Sequence, residues 1–282
     1  MTKPFSAALM GFVCCALFFL PSDALAQGNT QTNPTAPAVV RDPAALALAS
    51  KALQAIAGTT ALSDITLQAN ATYIAGSDQE AGPATLVALG NQLSLVTLSL
   101  TNGQRQEIRN GALGAWVGAD GTAHAAAGHN CLVDASWFYP ALTLAALATD
   151  PSLSVALVGQ EVHNGESTYH LSFYRVVASS DSFMAAQVRR VSTMDLYLDS
   201  ATLLPAALDF NLHPDRSASI DIPFEIRYGN YQSFSGVQVP STITQYAQNS
   251  LALNLTVAKA AINSGVPASL FTLPVALAGG TQ

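Results

Sequence analysis

A mainly β fold with a few helices, of the α+β class, is what this sequence predicts: a curved antiparallel sheet or incomplete β-barrel with helices on its concave side. Three observations predict it. Beyond Ile65 the apolar residues recur at every second position, segment after segment, which is the period of a strand rather than a helix. Short turn signals, among them Thr101-Asn102-Gly103, Asp120-Gly121 and Asn164-Gly165, separate the segments and join neighbours antiparallel. Charged residues make up 10% of the chain, against about 25% in an ordinary soluble domain. Either both faces of the sheet are therefore covered or one face lines an apolar cavity.

The first segment predicts export. Lys3 supplies a basic start, Ala7 to Leu20 form a short apolar run, and Ala24-Leu25-Ala26 is a small-x-small cleavage signal before Gln27. Residues 1–26 are expected to be a secretory signal peptide cleaved after Ala26. The run falls short of the roughly 20 apolar residues a membrane span needs, and Pro21 and Asp23 interrupt it, so the chain is not expected to be transmembrane. Cys14 and Cys15 follow Phe12 and Val13, where a lipid-attachment signal wants small residues. Once the leader is removed Cys131 is the remaining cysteine, so the fold has no intrachain disulfide and must rest on its core. The net charge of −7 is unchanged by loss of Lys3 and Asp23 and disfavours nucleic acid or an anionic membrane surface as a partner.

Residues 27–41, rich in Asn, Thr, Gln, Pro and Ala, read as a disordered linker, and 42–282 as a single domain long enough to bury a substantial core. Asp42 before Pro43 is an N-cap with proline at the first helical position. Leu46, Ala49, Leu53 and Ile56 then repeat on one face, and Gly58 stops the helix, which is predicted over 43–57. Strands are predicted from Ile65 to Tyr73, Leu86 to Leu89, Leu93 to Leu100, Gln104 to Arg109, Leu113 to Val117 and Thr122 to Ala126. Leu93 to Leu100 is apolar on both faces and is expected to be central. Pro140 can open a helix, so Ala141 to Ala148 reads as a short, nearly all-apolar one ended by Asp150-Pro151. Strands resume at Leu153 to Glu161 and Ser167 to Val176. After a polar insert from Ser179 to Gln187 they continue at Val191 to Leu198, Leu203 to Asn211, Ile220 to Tyr231, Val237 to Tyr246 and Leu251 to Ile262. So many strands in one sheet favour a curled sheet over a flat one.

Catalytic chemistry has little to stand on. There is no G-x-S-x-G motif, and Ser136 lies on no recognisable nucleophile elbow. His129 and Cys131 would project to one side of an extended segment, yet a lone cysteine is most often a buried small hydrophobe and His129 beside Gly128 reads as a turn residue. His124 and His129 are five positions apart, His163 and His170 seven, and His213 stands beside Pro214. None of these spacings is that of a zinc motif, so neither a metal nor a cofactor is expected. The best ligand-facing candidate is Trp137-Phe138-Tyr139 before Pro140, with Leu142, Leu144 and Leu147 following. The same residues could equally plug the concave face, and both readings stand. Trp116 and the inward residues of the later strands, Leu208, Phe210, Phe224 and Tyr228, would form the remaining walls.

The C-terminal half also carries a resemblance. Leu196-Tyr197-Leu198-Asp199-Ser200-Ala201-Thr202-Leu203-Leu204-Pro205 resembles the strand–turn–strand signature of the outer-membrane lipoprotein-sorting superfamily, the LolA/LolB/RseB-like proteins. Arg227-Tyr228-Gly229-Asn230-Tyr231, Gly236-Val237-Gln238-Val239-Pro240, Ile262-Asn263-Ser264-Gly265 and Phe271-Thr272-Leu273-Pro274 follow in the order of the same pattern. The likeness spans residues 43–274. It implies an incomplete antiparallel barrel wrapped over helices, enclosing an apolar cavity for a lipid or acyl chain, with no enzymatic activity and a periplasmic location. The alternative function is a structural or regulatory module that binds an envelope protein and has its cavity filled.

Overall fold

The computed structural model describes residues 39–179 and 181–274; the expected leader and most of the expected linker lie outside them. The sheet begins with β1 (Asp64–Ala75), β2 (Asp78–Leu89), β3 (Leu93–Leu100), β4 (Gly103–Asn110), β5 (Leu113–Val117) and β6 (Ala123–Ala125). It continues through β7 (Leu153–His163), β8 (Glu166–Arg175), β9 (Met194–Asp199), β10 (Pro205–Leu212), β11 (Ile222–Phe234), β12 (Val237–Ala247) and β13 (Ser250–Ile262). Among the described residues three α-helices accompany it: α1 (Pro43–Ala57), α2 (Ala141–Thr149) and α3 (Ser182–Ser192).

Every ladder between these strands is antiparallel, and the spatial order is β6-β5-β4-β3-β2-β1-β13-β12-β11-β10-β9-β8-β7. The two edges are thus β6 and β7, which are consecutive in the chain. The connection between them, residues 126–152, has to travel from one edge strand to the other. The sheet curls, as the chain's own contacts show: α1 packs on both β12 and β7, five places apart in the strand order, while also packing along α2. The predicted architecture, an unclosed curved antiparallel sheet with a few helices, is the one observed, and α1 and α2 are the helices that join its core.

Helix α1 starts as its sequence dictates. The Asp42 side chain accepts from Ala44 N at 2.8 Å, and its other oxygen accepts from Leu157 N at 3.0 Å, so one carboxylate caps the helix and pins it to β7. Both backbone bonds, and their charge-assisted character, hold the Asp42 pKa below the usual value. Ala45, Ala49, Ala52 and Ile56 face the core, and the small size of the three alanines lets the helix approach closely. Residues 40–42 run beside the start of β7, with Val155 N donating to Val40 O at 2.8 Å and Asp42 N to Val155 O at 3.0 Å.

Strand alternation sorts the sheet into two faces. Ile65, Leu67, Ala69 and Ala71 of β1, Val96, Leu98 and Leu100 of β3 and Leu253, Leu255 and Val257 of β13 all join one apolar core with α1 and α2. At about 25 cal/mol per Å² of buried apolar area, this core is the main source of stability. Strand β2 is longer than expected, because Gly82 and Pro83 lie inside it. Its ladder to β3 begins only at Ala84, so Pro83 stands where the strand pairs with β1 alone. Helix α3 falls where a polar insert was expected, and Asp181 caps it by accepting from Phe183 N and Met184 N. Among the described residues no helix is long and apolar enough to cross a membrane.

Candidate functional site

The edge-to-edge connection builds the site. Its residues bond to strands from both halves of the sheet: Arg109 Nη2 of β4 donates to Val133 O at 3.0 Å, and Arg175 Nε of β8 to Leu132 O at 2.9 Å. Ala135 N donates to Asn91 O at 2.9 Å, and the Tyr228 hydroxyl of β11 donates to Trp137 O. Asp134 sits fully enclosed, accepting from Asn91 Nδ2 and Arg175 Nη2, each at 3.1 Å. Burial pushes its carboxyl pKa up, and the Arg175 charge and the Asn91 hydrogen bond oppose that rise. The connection is therefore anchored like a crossbar by polar bonds at its start, and its aromatic segment is carried inward.

Of the residues expected to face a ligand, Phe138, Tyr139, Leu208 and Tyr228 are enclosed in the core together with Leu144 and Leu147. They plug the concave face. Burial drives the phenol pKa values of Tyr139 and Tyr228 upward, as expected of hydroxyls shielded from water. Leu142 is buried too, and borders a groove of about 500 Å³ that α2 shares with Leu53, Leu62 and the β2–β3 turn.

Trp116, Trp137 and Phe224 meet elsewhere, around a cleft of about 490 Å³ near the hairpin ends of β3–β4 and β12–β13. Val96 and Leu98 from β3, Tyr73 from β1 and Leu253 from β13 complete a predominantly apolar wall. The strand registers put them on the core side of the sheet: Leu98 opposes Arg105, Val96 opposes Glu107, Glu107 opposes Trp116, and Tyr73 opposes Leu253. Trp137 is buried at 6% exposure, whereas Trp116 is 47% exposed and stacks on His124 with ring centroids 4.0 Å apart. One tryptophan is wall and the other is rim. At that rim Arg105 is held by Glu80, Nη2 to Oε1 at 2.5 Å, and its guanidinium lies 5.1 Å from the centre of the Tyr73 ring. Tyr73, Val96, Leu98 and Leu253 were not expected as lining. Their alternation marks the inward face, but not which end of it the plug leaves open.

Phe210 and Phe224 stack with centroids 5.9 Å apart and also border a second, polar cavity of about 470 Å³. Its polar walls belong to the opposite face of the sheet. Asp195 pairs with Asp209, and Asp209 with Glu225, alternating with the core-facing Leu196, Leu208 and Ile226. Burial first, then the charges of Glu225 and Asp195, push the Asp209 carboxyl up to about 7.

His129 and Cys131 lie in a 3-10 turn over Gly128–Cys131, not in the extended segment that would project both to one side. Cys131 is buried, and desolvation raises its thiol pKa, which works against a reactive thiolate. The His129 ring packs edge-on against His213 at 5.8 Å.

No protein-family model matches the chain, and no curated protein sequence does. Solved structures do. A domain assigned to outer membrane lipoprotein sorting from Vibrio parahaemolyticus is 10% identical, with a TM-score of 0.49 over 81% of this chain and 96% of that one. A DUF1329 family protein from Desulfovibrio piger is 11% identical, with a TM-score of 0.49 over 81% and 96%. A LolA superfamily protein from Nitrosomonas europaea is 14% identical, with a TM-score of 0.49 over 81% and 97%. Likeness at that level carries no argument about activity or cargo.

Proposed function

We propose that the protein is a non-enzymatic periplasmic binding protein that holds a hydrophobic ligand, a lipid tail or acyl chain, in the cleft between Trp116 and Trp137. One observation carries this reading: an apolar cleft of about 490 Å³, with both tryptophans in its wall, lies beside the residues that plug the concave face. That volume falls within the roughly 300–1,000 Å³ of small-ligand sites. Arg105 at the rim is already paired with Glu80, so the cleft suits the apolar part of a ligand better than an anionic head group. The cleavable leader over residues 1–26, the linker after it and the single domain from residue 42 belong to the same proposal, since the basic start, the short apolar run and Ala24-Leu25-Ala26 direct export.

A second reading is favoured by the plug itself. Phe138 and Tyr139 occupy the space a large cargo would need, which suits an envelope module that binds another protein through its surface.

The chain's two tryptophans both line the cleft, so intrinsic fluorescence reports its occupancy. Titration with a brominated fatty acid is expected to quench the emission saturably, and Trp116→Ala to weaken binding by about tenfold, the order of 1–2 kcal/mol for a lost aromatic wall. Linear quenching without saturation, unaltered by Trp116→Ala, would reject the carrier and favour the interaction module.

A further inference from the structure

On the sheet face opposite the core, the tip of the β7–β8 hairpin folds over the strands that follow it. His163 stacks on Tyr197 of β9, ring centroids 3.7 Å apart and planes 7° from parallel. This orientation aims its Nε2 at two carboxylates on different strands: Glu225 Oε1 of β11 at 3.2 Å and Asp209 Oδ2 of β10 at 3.7 Å. One donor atom from each of the three residues lies within 4.8 Å of the other two, and all three line the polar cavity. Donors held tetrahedrally at about 2.0–2.1 Å from a zinc ion stand about 3.3 Å from one another. The observed spacings bracket that value.

The surroundings fit an ion as well. Arg227 Nη2 holds the far oxygen of Glu225, Oε2, at 2.8 Å, which orients Oε1 toward His163. Asp209 Oδ1 is buried and has no hydrogen-bond partner. Asp195, in the same cross-strand row as Asp209 and Glu225, is engaged with His170 at 2.9 Å and adds a further carboxylate. Three carboxylates thus crowd a half-buried row in which Arg227 is the facing guanidinium, and a cation among them relieves the repulsion. The Asn164 side chain also donates to Glu225 Oε1, and an ion would take its place.

We propose that His163, Asp209 and Glu225 form a three-ligand site for a divalent transition-metal ion of the zinc class, clipping the tip of the edge hairpin to β10 and β11. An imidazole beside two carboxylates selects zinc-like ions over calcium or magnesium, which prefer all-oxygen sites. The fourth position faces the cavity and is left to water. This site is on the other face of the sheet from the apolar cleft and stands or falls independently of the lipid-binding reading.

The test uses the full chain stripped with EDTA and titrated calorimetrically with Zn²⁺ alone. A single saturable ion per chain is expected, with affinity lowered at least about tenfold by His163→Ala and by Glu225→Gln. Zn²⁺ should raise the Tm of the wild type but not of His163→Ala, and should slow amide exchange in residues 158–169. If His163→Ala fails to fold, the near-isosteric Asp209→Asn serves in its place, with the same loss expected. Absence of saturable Zn²⁺ binding overturns the proposal. Binding undiminished in the variants places the ion elsewhere, for instance at the His129–His213 contact, and overturns it too. So does calcium binding as tight as zinc.

Discussion

His170 illustrates what a titratable side chain contributes on the outer face of this sheet. Burial alone would lower its pKa, but the hydrogen bond and charge of Asp195 at 2.9 Å, together with Glu161 at 3.0 Å, more than offset that and raise it. A histidine whose pKa is raised by folding stabilises the native state fully below its unfolded value of about 6.5. That contribution is lost as pH rises through the folded value. Asp195→Asn is therefore expected to lower the His170 pKa in an NMR titration and to lower Tm more at pH 6 than at pH 9; an equal loss at both would exclude the pair as its source. Asp199 shows the same scale at work in a motif. Its carboxylate accepts from Ala201 N, Thr202 N and the Thr202 hydroxyl, at 3.2, 2.7 and 2.6 Å, and Leu203 takes a φ of +61°. The residues that carry the family resemblance are thus the bolts of a β9–β10 turn, so they were legible because turn chemistry is local.

At the scale of elements, β2 comes close to the β3 backbone at Gly82, just past the end of their ladder. A Cβ added at Gly82 would lie 2.0 Å from the carbonyl oxygen of Ser99, closer than any side chain can stand. Gly82→Ala must push the two backbones apart, at the roughly 1–3 kcal/mol of an overpacked site. In a domain of this size that corresponds to a Tm lower by about 2–12 °C, measurable by calorimetry; an unchanged Tm would show that the strands separate freely there. Gly82 and Pro83 also explain why the strand was expected to begin only at Leu86: both residues argue against a strand in isolation, and pairing with β1 overrides them. Helix α3 was missed for a different reason. Phe183 and Met184, its largest apolar residues, are 67% and 50% exposed, so no buried stripe marks the segment, and the Asp181 cap was the one local signal.

The whole molecule is organised by one topological fact: the two edge strands of the sheet are joined by the connection that fills its concave side. Phe138 is the fully enclosed centre of that connection and packs against Trp137, with centroids 5.5 Å apart. Truncation of a buried phenylalanine costs about 3–5 kcal/mol, which at about 2–4 °C per kcal/mol lowers Tm by about 6–20 °C. Phe138→Ala is expected to unfold in a single transition displaced by that amount. A loss under about 2 °C would mean that the connection is an independent lid rather than part of the core. The same measurement in the presence of a brominated fatty acid asks whether the emptied volume enlarges the cleft, in which case the variant binds more tightly than the wild type.

The sequence by itself determined the helix over 43–57, most strand positions, the turns and the face each strand residue takes, because caps, turn residues and period-two alternation act over a few neighbours. Three of the nine expected wall residues, Trp116, Trp137 and Phe224, do converge on the apolar cleft, while Phe138, Tyr139, Leu208 and Tyr228 are packed into the plug. Only the tertiary structure decided between these fates, since both need the same inward, apolar side chain and differ in where the connection crosses the sheet. Only the tertiary structure, too, brings His163 to Asp209 and Glu225. They lie 46 and 62 positions away in the chain, and folding the hairpin tip across three strands brings them to 3.7 and 3.2 Å from its Nε2.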